Sequence, residues 1–103
     1  MNLNEKVYVL ISMLPNNNEL QALEEYKIVA KKVRDEYGAK VLFRYDVDKD
    51  IIGDFTGNSI RIIEFPSEAN VHNWLNDPRY IVVKPLRDKA FSHLSLSILK
   101  KAD

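Results

Sequence analysis

Apolar residues occupy both alternating positions from Val7 to Leu14 (V-Y-V-L-I-S-M-L), as they do in a central strand covered on two faces. Pro15-Asn-Asn-Asn18 breaks that run, and Asn18 is suited to cap a helix that carries Glu19 in its first turn. Leu20, Leu23, Tyr26, Ala30, Val33 and Tyr37 then recur every three or four residues. They form one helical stripe, with Glu24, Lys27, Lys31 and Arg34 turned outward, and Gly38 stands where a helix ends in a left-handed residue. Val41 to Val47 alternates, predicting a half-buried strand with Val41, Phe43, Tyr45 and Val47 on one side and Leu42, Arg44 and Asp46 on the other.

Asp48 to Asn58 is polar, with Gly53 and Gly57, and reads as a long hairpin holding a short Ile51-Ile52 pairing. A β-branched strand follows from Ile60 to Phe65. Ser67 caps a second helix whose inward positions are Val71, Trp74 and Leu75. Asp77-Pro78 ends it, and a further helical turn or two, interrupted by Pro85, covers Tyr80 to Lys89. Leu94, Leu96 and Ile98 alternate with His93, Ser95 and Ser97 in a last strand that is apolar on one face.

The order βαββαβ predicts an α+β, ferredoxin-like domain: a four-stranded antiparallel sheet with two helices on one face and the first and third strands central. Val7 to Leu14 would then leave apolar side chains on the uncovered face. A second copy packing sheet to sheet relieves that exposure, so a homodimer is expected.

At 103 residues the chain is read as one domain, 1–103. Fifteen Lys and Arg balance 15 Asp and Glu, which leaves no overall basic footprint for nucleic acid. Cysteine is absent, so disulfides and thiolate chemistry are excluded and a reducing compartment fits. The start, Met1-Asn-Leu-Asn-Glu-Lys, shows no secretory pattern, and the longest apolar run is too short to span a bilayer. A cytoplasmic protein without a membrane partner is expected.

Tyr37-Gly38, Leu42 with Arg44, Gly53-Asp54, Ile62-Ile63-Glu64-Phe65-Pro66-Ser67, Trp74, Pro78-Arg79-Tyr80 and Pro85-Leu86-Arg87 together resemble a small bacterial domain-of-unknown-function family. That family lies in the dimeric α+β barrel superfamily. The resemblance covers most of the chain and implies a ferredoxin-like protomer whose sheets close into a barrel across a dimer. Relatives in the superfamily include cofactor-free and haem-degrading monooxygenases, muconolactone isomerases, chlorite dismutases and ligand-sensing modules. Asp77 stands where the family usually has Ser.

Glu64 is the first candidate for chemistry. Alternation sets it with Ile60 and Ile62, facing a cavity between sheet and partner, where desolvation would raise its pKa and suit it to act as a general base. The competing reading is a structural ion pair with Arg44 or Arg87. Arg44 offers a guanidinium fork for a ligand oxygen, or a solvated edge charge. Tyr80 and Arg87 fall at the expected cavity mouth, as ligand contacts or as packing. His93, on the polar face of the last strand, could assist as a proton shuttle or lie exposed. His72 is read as outward and Trp74 as core.

Asp46, Asp48 and Asp50 do not make an EF-hand: the sixth loop position is Ile51 and the twelfth Gly57. No metal set, phosphate loop, nucleophile elbow or dinucleotide fingerprint is present, and no cofactor is called for. An RNA-binding sheet needs aromatics in its third strand, which Ile60 to Glu64 lacks. Two functions follow: a cofactor-independent acid–base enzyme acting on a small molecule, or a non-catalytic ligand-binding or sensing module.

Overall fold

A computed structural model describes residues 5–102. Strands β1 (Val7–Pro15), β2 (Lys40–Asp46), β3 (Ser59–Phe65) and β4 (Phe91–Leu99) form one antiparallel sheet in the order β2-β3-β1-β4. Helices α1 (Leu20–Glu36), α2 (Glu68–Asn76) and α3 (Pro78–Ala90) complete the chain. The ferredoxin-like α+β architecture is therefore as expected, with β1 and β3 central. The second helical region is not one helix and a kinked turn, however, but two helices. Asp77 ends α2 and caps α3, and Pro78 sits at the first turn of α3, where its missing N–H costs nothing. Pro85 lies on an exposed side of α3, and burial of Tyr80, Val83 and Ala90 on the same helix carries it past that lost hydrogen bond to Ala90.

Register divides the sheet into two faces. Val9 pairs with Ile63 on one side and Ile98 on the other, and Ile11 pairs with Leu96, so these residues share the helix-covered face. Val9, Ile63 and Phe65 are at most 1% exposed there, packed with Val33, Val71, Trp74 and Tyr80 from the helices. Burying each of these large side chains stabilises by about 1.5–3 kcal/mol, which explains why this face organises the core. Tyr8, Leu10, Ile60, Ile62 and Glu64 project from the opposite, helix-free face.

Strand β2 departs from simple alternation. Val41 pairs with Ile63, but Phe43 pairs with Ile62, so Leu42 is an extra residue in a β-bulge. The bulge reverses parity: Val41 faces the helices, Phe43 and Tyr45 face the open side, and Arg44 and Asp46 turn under the helices opposite Arg61 and Ser59. The expected grouping of Val41 with Phe43 and Tyr45 fails for this reason.

The β2–β3 connection holds no Ile51-Ile52 pairing; these side chains are 91% and 95% exposed. Instead the Val47 N–H donates to the Asn58 carbonyl at 2.7 Å, the Asn58 N–H to Met13 O at 2.9 Å and Ser12 Oγ to Thr56 O at 2.6 Å. Asn18 does not cap α1 either: Glu19 holds that position, and the Asn18 N–H is taken by Asn16 Oδ1 at 3.0 Å. Gly38 has φ of 84°, and a Cβ there would meet Pro66 Cγ at 2.7 Å, so glycine answers both backbone shape and space.

The helices are tied through Asp77. Its carboxylate accepts from the Arg79 N–H at 2.9 Å, Arg79 Nε at 3.1 Å and Tyr37 Oη at 2.9 Å, while Arg79 also reaches Glu36 at 3.0 Å. Hydrogen bonds from Arg79 hold the Asp77 carboxyl well below the usual carboxylate range. The contribution of the charged form is thus complete above the unfolded carboxyl pKa and fades as pH falls below about 4. Asp77→Asn should be less stable than the parent at neutral pH, with the gap narrowing as pH drops from about 4 towards 2. Urea midpoints across that range test this, and a gap independent of pH would refute it.

Candidate functional site

An opening of about 870 Å³ lies within the protomer, between α1 and the helix-covered face of the sheet. Its apolar lining comes from Ile11, Met13, Leu23, Phe91, Leu94 and Leu96, with Tyr26 and Trp74 from the helices. Its polar lining is unbalanced: Lys27, Lys31, Arg34, Arg44 and Arg61 against one acidic side chain, Asp46. A chain of zero formal charge therefore concentrates cations in one cavity.

Each arginine arrives by a different local cause. Arg61 is on β3 in phase with the core residues Ile63 and Phe65, so alternation carries it under the helices. The Leu42 bulge rotates Arg44 to the same face, directly opposite Arg61. Arg34 follows Tyr26 and Ala30 at successive intervals of four on α1, which places it on the stripe facing the sheet rather than outward as its charge suggested.

Arg61 Nη1 donates to Ser59 Oγ at 2.7 Å and to Ile60 O at 2.9 Å, and Ser59 Oγ donates to Asp46 Oδ1 at 2.8 Å. Burial, and then the neighbouring charge of Arg44, lower the Arg61 pKa. Arg34 is 15% exposed in its side chain; among the described residues its buried Nε has no hydrogen-bond partner, Asp35 Oδ1 lying 3.6 Å away. An unsatisfied buried donor beside two further guanidiniums is the arrangement an anion would complete.

The residues singled out from sequence scatter between the two faces. Glu64 is on the open face, as alternation required, where it lies 3.6 Å from Lys6 Nζ rather than beside Arg44 or Arg87. His93 shares the open face with Ser95, and among the described residues its buried Nε2 has no hydrogen-bond partner; Gly57 packs so closely over it that a Cβ would meet His93 Cδ2 at 3.2 Å. Arg44 is separated from both by the thickness of the sheet. Tyr80 is not at a cavity mouth but 1% exposed in the core, its hydroxyl 2.8 Å from that of Tyr26. Arg87 Nη1 donates to Tyr80 Oη at 3.3 Å and its guanidinium lies 5.9 Å over the Tyr80 ring. His72 is exposed and bonded to Glu68, and Trp74 is core, donating Nε1–H to Ala30 O at 3.1 Å.

Arg34, Arg61 and Tyr26 were not among the sequence candidates. The signal for Arg61 was present, since it is in phase with Ile63 and Phe65; for Arg34 the four-residue spacing from Ala30 was the clue. Tyr26 was assigned to the apolar stripe without regard to its hydroxyl. Burial above all raises its pKa far above the ordinary phenol value, so that hydroxyl keeps its proton.

The sequence profile of a family described as a domain of unknown function (DUF1330) matches residues 6–102. The chain belongs to the DUF1330 family. No curated protein matches it in sequence. Among solved structures, this DUF1330 chain is similar to a protein of unknown function from Rhodopseudomonas palustris. The TM-score is 0.82 at 21% identity, covering 97% of this chain and 85% of that one. It is similar also to a protein from Bacteroides fragilis described as dimeric and ferredoxin-like, at TM-score 0.57 and 10% identity, covering 93% and 96% of the two chains. A third is SnoaB from Streptomyces nogalater, described as a cofactor-independent oxygenase, at TM-score 0.63 and 7% identity, covering 96% and 95%. At these identities the likeness shows the fold alone. Among the described residues, no helix is long and apolar enough to cross a membrane.

Like charges directly opposite on a sheet destabilise it. Arg44→Gln should therefore raise the melting temperature of the DUF1330 protein at low ionic strength by about 2–4 °C, corresponding to ~0.5 kcal/mol. The gain should fade in strong salt. A lower melting temperature in the variant would show that Arg44 is held by favourable contacts instead.

Proposed function

We propose that this DUF1330 protein binds an apolar organic anion, of the kind an aryl carboxylate represents, in the cavity between α1 and the sheet. The observation that supports this is the convergence of Arg34, Arg44 and Arg61 on one opening that also carries an apolar wall of Ile11, Met13, Phe91, Leu94 and Leu96. Guanidinium forks match carboxylate geometry, and the apolar lining supplies area for a hydrocarbon body. Binding is favoured over turnover because the lone acidic residue of the cavity, Asp46, already accepts from Ser59, and Glu64 and His93 lie across the sheet. Turnover is the second reading on one ground: the similar fold of SnoaB belongs to an oxygenase described as cofactor-independent. In that reading Glu64 and His93 act in a separate chamber between two sheets.

Binding is tested by calorimetric titration with aryl carboxylates and their uncharged amides. The acids should bind and the amides should not, and Arg61→Gln should weaken the acids about 10- to 100-fold, as expected for loss of a charged hydrogen bond. Equal binding of acid and amide would overturn the anionic reading.

The protein is also proposed to work as a homodimer. The protomer measures 40 × 37 × 17 Å, a slab with Tyr8, Phe43 and Tyr45 at 40%, 52% and 62% exposure on its helix-free side. The similar Bacteroides fragilis protein is described as dimeric. Light scattering should give twice the 12.0 kDa of one chain, and Ile62→Lys, which sets a charge at the middle of that face, should return the mass to that of one chain. A parent protein that scatters as a single chain at micromolar concentration would refute the pairing.

A further inference from the structure

The hydroxyl chain behind the cavity carries information about the ligand. Tyr80 is 1% exposed, and its oxygen accepts from Arg87 Nη1 at 3.3 Å. Its own proton needs an acceptor, and the oxygen within reach is Tyr26 Oη at 2.8 Å. If Tyr26 donated instead, the Tyr80 proton would be left without a partner in the core. With Tyr80 as donor, Tyr26 has a proton free, and Tyr26 lines the cavity where Tyr80 does not. We infer that Tyr26 is the second polar anchor of the cavity, donating to a carbonyl or other neutral oxygen on the same anion that the arginines hold. Tyr80 and Arg87 are positioning residues that aim this donor from behind.

The inference rests on the anionic reading above and narrows it. Tyr26 and Arg34 are eight residues apart, about 12 Å along α1. The ligand class is an elongated apolar acid with an oxygen function several bonds from its carboxylate, such as an aryl keto acid. Burial keeps the Tyr26 hydroxyl protonated, so it serves as a hydrogen-bond donor and not as a base.

Two probes separate the possibilities: benzoylpentanoate, a keto acid, and phenylhexanoate, the same skeleton without the ketone. The parent protein should prefer the keto acid about 3- to 10-fold, the worth of one neutral hydrogen bond. Tyr26→Phe should abolish that preference by weakening the keto acid more than phenylhexanoate, and Tyr80→Phe should reduce it. A Tyr26→Phe protein that keeps the preference, or a parent that has none, overturns the inference while the arginine site stands. Failure of both acids to bind, or phenylhexanoate affinity indifferent to Arg61→Gln, removes the anionic reading and this one with it. Should the tyrosine variants not fold, infrared spectra of carbonyl-labelled benzoylpentanoate on the parent protein decide. A stretch at or below its frequency in water supports a donor, and one at its frequency in hydrocarbon solvent rules a donor out.

Discussion

A sheet covered by helices on one face only gives alternate residues opposite fates, and every feature of this protein follows from which fate a residue receives. The central pair β1 and β3, joined through partners such as Val9 and Ile63, sets the phase. Residues in phase with Ile63 and Phe65 enter the core or its cavity, and residues in phase with Ile62 meet solvent or a partner. One residue of slippage would exchange the two sets. Phase is therefore worth as much to function as to stability.

The Leu42 bulge makes that exchange locally and on one strand. Ahead of it, Val41 is on the helix-covered face; beyond it, Arg44 and Asp46 turn to that face while staying exposed. Were Leu42 paired regularly with Ile62, Arg44 would stand opposite Ile60 on the open side and the cavity would lose one of its three guanidiniums. The resulting cluster brings like charges together in a partly desolvated space, an arrangement that costs folding energy and is characteristic of sites that wait for a counter-ion. The Asp77 clamp does the opposite: opposite charges and a helix cap meet where α1, α2 and α3 converge, and they support the helix that forms the roof of the cavity.

In the proposed site Tyr80 and Arg87 would act on a ligand they do not touch. Both were singled out as candidates for ligand contact, yet the chain of hydroxyls places them one layer behind Tyr26. Glu64 and His93 show the converse. Their positions on the open face agree with alternation, but the cavity opens on the other side of the sheet.

Much of the fold was legible because it is local and periodic. The stripe through Tyr26, Ala30 and Val33, the cap at Ser67, the left-handed Gly38 and the one-sided apolar pattern of β4 each state their element within a few residues. The order of those elements then leaves few topologies. What the letters could not contain is the bulge, because an unpaired residue exists only relative to a partner strand. Nor could they show the meeting of Arg34 with Arg44 and Arg61, which are brought together by the packing of α1 over the sheet. Local periodicity determined the elements; contacts between elements far apart in the chain decided where the charges converge.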